Sequence, residues 1–181
     1  ETSNYSKGAN AEMHRQFVNN GGGAGNVSWQ YTVDDREIVE HLPTTESGWH
    51  AGDGYNGTGN RKSIGIELCV NSDGDFSKTR ALASRLVARL MTTRGIPIER
   101  VVQHNHWSGK NCPLMIRRDG LWPGFIADVQ RHLAPDLPHP TARFFPETGQ
   151  YIAQGFRDHW EQFGSDRVSI EITPGGVGSA I

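Results

Sequence analysis

The sequence predicts an α/β (α+β) fold, and three stretches carry that expectation. Ser63 to Val70, SIGIELCV, alternates Ile64, Ile66, Leu68 and Val70 with Gly65, Glu67 and Cys69, which gives a strand with one wholly apolar face. Between Ser77 and about Arg94, Leu82, Leu86 and Leu90 recur at the helical period, with Val87 and Met91 beside them. Val27 to Val33 and Arg36 to Leu42 flank the turn signal Asp34-Asp35 and predict a hairpin.

Residues 1–8, ETSNYSKG, are polar and carry neither a methionine nor the apolar segment of a leader, so they read as the interior of a longer protein. Ala9 to Asn20 predicts a helix with Ala9, Met13 and Phe17 on one face and the Gly21-Gly22-Gly23 run after it. His14, next to that stripe, is expected to be half-buried or solvated rather than a ligand. In Val27 to Val33 the apolar side chains Val27, Trp29, Tyr31 and Val33 alternate with polar ones, as in a strand with one buried face. Pro43 to Ser63 then runs some twenty residues without periodicity, a length that marks a functional connection. Trp49, His50, Tyr55, Asn60 and Arg61 on glycine hinges suit a sugar or peptide groove. An ordered loop packed on its own tryptophan is the alternative.

After the turn Asn71 to Asp75, Ser77 is the expected N-cap of the long helix, which Gly95 and Pro97 terminate. Lys78, Arg85, Arg89 and Arg94 form its solvated face. Ile98 to Gln103 is expected as a short strand. A last helix is expected from about Pro123 to Leu133, with Phe125, Ile126, Val129 and Leu133 inward. One domain, residues 1–133, is followed by a linker with three prolines, residues 134–140. The appendage, residues 141–181, starts with aromatic residues that suit a short hairpin or helix and ends too rich in glycine to fold alone.

Charge is balanced, with 18 Lys+Arg against 20 Asp+Glu, so no basic field argues for nucleic acid. Apolar runs fall far short of the roughly 20 residues that span a bilayer, and no membrane insertion is expected. Cys69 and Cys112 are the only cysteines, too few for a disulfide framework. The 22 glycines cluster in loops instead of repeating, which points to long functional connections on a rigid frame.

Gln103 to Pro113, QHNHWSGKNCP, concentrates the chemistry. His104 and Cys112 are separated by seven residues that include Ser108 and Gly109, and imidazole and thiolate are donors that zinc prefers. A polar surface turn with a cysteine buried for packing explains the same spacing. Glu67 is the second unusual residue. A carboxylate flanked by glycine and cysteine on its own strand face belongs beside a cavity, where restricted hydration raises its pKa and suits it to general base work. An edge strand with Glu67 in water is the competing reading.

Together, SWQYTVDD, SGWHAGDGYNGTGNRKSIGIELC and QHNHWSGKNCP resemble the zinc N-acetylmuramoyl-L-alanine amidases of phage endolysins and bacterial autolysins, the amidase-2 group related to peptidoglycan-recognition proteins. The resemblance spans roughly residues 1 to 133 and implies a mixed central sheet flanked by helices. It implies cleavage, in bacterial peptidoglycan, of the amide between the lactyl group of muramic acid and the first alanine of the stem peptide. His104 and Cys112 fall on two of three zinc ligands, Glu67 on a strand glutamate beside the attacking water, and Lys110 on a lysine that meets the oxyanion. A tyrosine used near the metal by some relatives falls on Trp29, which gives up no proton, and Gln30 stands where many have histidine. The substrate-binding set is then Trp29, Trp49, His50, Asn60, Arg61 and Trp107. The remaining zinc ligand of the family is a histidine directly before a segment like ETSNYS, so the resemblance implies that the natural protein extends upstream of Glu1. Within the chain, His50 and His106 are the nearby substitutes.

RFFPETGQYIAQGF resembles short repeats that trail extracellular bacterial proteins, which makes the appendage a truncated repeat. A monomer acting at the bacterial cell wall is expected, either secreted or phage-encoded and released at lysis. The rival expectation is a module that grips peptidoglycan without cutting it. A purely structural zinc clip would need four protein ligands, and no further histidine stands at a suitable spacing.

Overall fold

The computed structural model describes residues 1–133, 143–145 and 150–152. The chain divides after Leu133. Its first unit holds a three-stranded sheet in the order β2-β1-β3, built from β1 (Tyr31–Val33), β2 (Ile38–Glu40) and β3 (Ile66–Leu68). β1 pairs antiparallel with β2, Val33 opposite Ile38, and parallel with β3, Thr32 opposite Glu67. The sheet is therefore mixed, as expected.

The hairpin turns on Asp34, whose Oδ1 accepts from the amides of Arg36 and Glu37, both at 2.8 Å. Its other oxygen accepts from the Ala11 amide at 3.0 Å, which ties the first helix to the sheet. That helix, α1 (Ala11–Asn19), is capped by Asn10, whose side chain accepts from the Met13 amide. Its inward face differs from the expected one: Ala11 and His14 are buried, while Phe17 is exposed. His14 is neither solvated nor half-buried, because its Nδ1 hydrogen-bonds the Asn10 carbonyl at 2.8 Å inside the packing.

Strand alternation also fails at β1. Trp29, Gln30, Thr32, Val33 and Asp34 are all buried, since α1 packs on one side of the strand and the long helix on the other. A strand covered on both faces has no solvent side to alternate toward.

The long helix, α3 (Phe76–Arg94), starts at Asp75 rather than Ser77. The Asp75 carboxylate accepts from the amides of Ser77 and Lys78 at 3.0 and 3.2 Å, satisfying donors the helix leaves unpaired. Gly95 closes it in the left-handed region at φ 64°. Leu86, Val87, Leu90 and Met91 of α3 meet Val33, Leu68 and Ile116, and also Phe125 and Val129 of α6 (Trp122–Leu133), in one core. Each such side chain, fully buried, contributes about 1.5–3 kcal/mol.

The long connection contains a short helix, α2 (Thr58–Lys62). Ile98–Arg100 forms a 3-10 turn instead of the start of a strand, and residues 101–103 run on without a ladder partner among the described residues. β3 is an edge strand of the sheet, with the Thr2 amide bonded to the Leu68 carbonyl at 2.9 Å. Beside it opens a cavity of about 700 Å³ whose apolar part is lined by Ile66, Leu68, Leu90, Val101 and Ile116.

In the second unit the described residues form an antiparallel pair, β4 (Arg143–Phe145) with β5 (Gln150–Ile152), one of the two shapes expected there. The predicted linker, residues 134–140, and most of the predicted appendage lie outside the described residues.

Candidate active site

The His104 loop folds back on itself. After His104 comes one helical turn, α4 (Asn105–Ser108), and Gly109 reverses the chain at φ 73°. The Asn105 amide then bonds the Cys112 carbonyl at 3.0 Å, and its side-chain amide donates to the carbonyls of Gly109 and Lys110, both at 2.9 Å. Cys112 is buried at the start of the next turn, before α5 (Leu114–Arg118). The pairing of Asn105 with Cys112 brings the two ends of the motif together, which is what a shared ligand needs.

Glu67 projects from β3 toward the same place, with only 19% of its side chain exposed, so it does not stand in open water. The backbone nitrogen of Glu1 lies between them, 3.4 Å from Cys112 Sγ and 3.2 Å from Glu67 Oε2. Glu67 Oε2 is buried without a directed hydrogen bond, and His104 Nε2 is buried with no partner at all. An orphaned imidazole nitrogen and a buried thiol at the two ends of one closed loop are donors that fit a metal such as zinc. Among the described residues no three His, Cys, Asp or Glu side chains complete a ligand set.

Burial lowers the pKa of His104, and Lys110 adds to the effect, while Glu67 and the Ala51 carbonyl oppose it. The ring is therefore held toward its neutral, metal-binding form. His50 is lowered as well, first by burial and then by His104, against Glu67. Its Nε2 is another buried atom without a partner. The ring fits only because two glycines face it: a Cβ on Gly65 would come within 2.9 Å of its Cδ2 and Cγ, and one on Gly48 within 2.8 Å of Cδ2.

A second cavity, about 410 Å³, opens above these rings and is lined by Val27, Trp49, His50, Gly52, His104, Ser108 and Lys110. Trp49 and Lys110 stand exposed on its wall. Trp107 lines the larger cavity, half-buried against Gly59. Of the predicted site residues, Glu67, His50, His104 and Trp107 share the larger cavity, and Trp49 and Lys110 share the second with His50 and His104. Cys112 joins them through Glu1.

Three of the predicted substrate contacts, Trp29, Asn60 and Arg61, line neither cavity. Trp29 is 6% exposed, packed against His14, Phe17 and His41, with its indole N–H spent on Thr32 Oγ1 at 2.7 Å. Asn60 is 2% exposed and fully engaged: its Oδ1 accepts from the amides of His50 and Ala51, and its Nδ2 donates to the Gly54 carbonyl. It shapes the groove instead of touching what enters it. Arg61 is exposed, lies over the Tyr55 ring at 5.7 Å and lines neither cavity. Residues not predicted also matter. Gln30 accepts from the Gly65 amide and donates to the Glu46 carbonyl, and Asp53 accepts from the amides of Gly59 and Asn60. Nothing in their spacing distinguishes such buried ties from ordinary turn residues.

Known proteins resemble this chain in sequence and in fold. The family described as N-acetylmuramoyl-L-alanine amidase matches residues 1–114. The amidase CwlH of Bacillus subtilis (strain 168) is 48% identical over 145 residues, which is 80% of this chain and 56% of CwlH. The amidase XlyA of the same organism is 48% identical over 128 residues, 71% of this chain and 41% of XlyA. The chain thus spans about half the length of these curated relatives. The solved catalytic domain of XlyA superposes with a TM-score of 0.66, covering 71% of this chain and 80% of that one. The structure of PlyL superposes at 0.63 with 36% identity, covering 69% and 77%.

Proposed function

Because the chain belongs to the N-acetylmuramoyl-L-alanine amidase family, we propose that it hydrolyses the amide joining N-acetylmuramic acid to L-alanine in bacterial peptidoglycan, with zinc held by His104 and Cys112. The observation that carries this reading is the closed loop that holds His104 and the buried Cys112, its stems joined by the Asn105 amide on the Cys112 carbonyl, with Glu67 and His104 lining one cavity. His104 and Cys112 supply two of the three donors that the resemblance implies.

Zinc, when bound, supplies Lewis acidity that polarises a carbonyl and makes water a nucleophile near neutral pH. Glu67 does the proton work. It takes a proton from the attacking water and returns it to the nitrogen of L-alanine as the C–N bond breaks, leaving the lactyl carboxylate and a free stem-peptide amine. Lys110, exposed on the groove wall, meets the negative charge that develops on the carbonyl oxygen. Each of these roles is typically worth on the order of a hundredfold or more in rate. Trp49, His50 and Trp107 supply apolar and hydrogen-bonding wall to the glycopeptide. The Trp29 position contributes packing alone, in keeping with an indole that gives up no proton.

The second reading, a module that binds peptidoglycan without cutting it, draws on the two donors that the described residues supply. Zinc content separates the readings: about one zinc per chain, lost in Cys112→Ser, supports the amidase, and none in the unsubstituted protein supports the binding module. We place the site of action at the bacterial cell wall, with the protein a monomer there. No helix among the described residues is long and apolar enough to cross a membrane.

A further inference from the structure

We infer that Arg117 is a positioning residue that clasps the two stems of the ligand loop, and so sets how tightly the loop holds its metal. One guanidinium reaches both stems. Its Nη1 donates to Gln103 Oε1 at 2.7 Å and its Nε donates to Asn111 Oδ1 at 2.8 Å. Gln103 immediately precedes His104, and Asn111 immediately precedes Cys112. Asn105 closes the loop from inside through the Cys112, Gly109 and Lys110 carbonyls. Arg117 closes it from outside.

The base of the clasp is itself fixed. Arg117 sits on α5, its amide bonded to the Pro113 carbonyl at 3.1 Å, one turn beyond Cys112. The second and third amides of that helix, Met115 and Ile116, donate to the Glu1 side-chain carboxylate at 2.8 and 3.0 Å. A planar, always charged group with two separate donors suits two fixed amide oxygens, whereas the single ammonium of lysine does not span them. The neighbouring Arg118 pairs with Asp119 and takes no part. A loop held at both stems keeps sulfur and imidazole nitrogen at one spacing before any metal arrives, which favours binding by lowering the ordering cost.

This inference rests on the metal-site reading above, and its test separates the two. Arg117→Gln and Arg117→Lys are compared with the unsubstituted protein for zinc release to a chromogenic chelator. Exchange of the Asn105 amide is measured in all three without metal. We expect zinc to leave at least about tenfold faster in both variants and the Asn105 amide to exchange several-fold faster. Gln103→Ala in the Arg117→Gln background should add nothing further. Zinc release and Asn105 exchange that both match the unsubstituted protein would overturn the clasp. If the unsubstituted protein holds no zinc, the metal reading fails, and Asn105 exchange alone then decides whether Arg117 holds the loop.

Discussion

Asn60 Oδ1 accepts hydrogen bonds from two successive amides, His50 at 2.8 Å and Ala51 at 2.7 Å, so a single buried side chain on α2 sets the course of the groove wall. Its Nδ2 is bonded to the Gly54 carbonyl at 3.1 Å, and no polar atom is left over. Removing it strands buried donors, each costing about 1–3 kcal/mol. Asn60→Ala should lower unfolding free energy in urea by about 2–4 kcal/mol and raise KM for peptidoglycan. Asn60→Asp keeps the acceptor and should lose less.

Gly65 carries no strain, yet it admits no side chain. A methyl group there would lie 2.9 Å from the His50 ring. Overpacking of this kind costs roughly 1–3 kcal/mol and moves the softer partner. Gly65→Ala should therefore lower turnover by displacing His50, and adding it to His50→Ala should change turnover little. Full additivity of the two losses would show that Gly65 acts elsewhere.

Glu67→Gln preserves the size of the side chain but removes its ability to take a proton. We expect normal thermal unfolding and normal sedimentation with purified peptidoglycan, with amide hydrolysis lowered at least about a hundredfold. Turnover within a few-fold of the unsubstituted protein would remove Glu67 from the proton transfer.

His41 predicts a pH effect on stability. Its Nε2 shares a 2.7 Å hydrogen bond with Thr32 Oγ1, and its Nδ1 is buried without a partner. Burial first, then His14 and Arg15, hold its pKa below the ordinary 6.5. A histidine depressed in the folded state contributes stability above its unfolded pKa, and that contribution is lost as pH falls through the folded value. The urea midpoint of the metal-free protein should fall on going from above pH 6.5 to below it, and His41→Gln should fall less.

What the sequence made legible follows a physical line. The long helix, the hairpin and the strand bearing Glu67 announce themselves through apolar periodicity, and QHNHWSGKNCP through its donor types. Side chains whose role is to satisfy backbone groups do not. Asn60, Gln30 and Asp34 are buried polar residues whose partners come from distant segments, and no local pattern shows such pairing. Trp29 misleads for the converse reason: an aromatic on a strand has the same spacing whether it faces a groove or the core. The helix start at Asp75 was obscured because Ser77, two residues on, is an equally good capping type.

The most direct test of the central claim is the chemistry of the product. Purified peptidoglycan incubated with the protein and zinc should gain free N-terminal alanine amines and no new reducing sugar ends, and Cys112→Ser should abolish the gain. Reducing ends without alanine amines, or alanine amines undiminished in Cys112→Ser, would contradict the account.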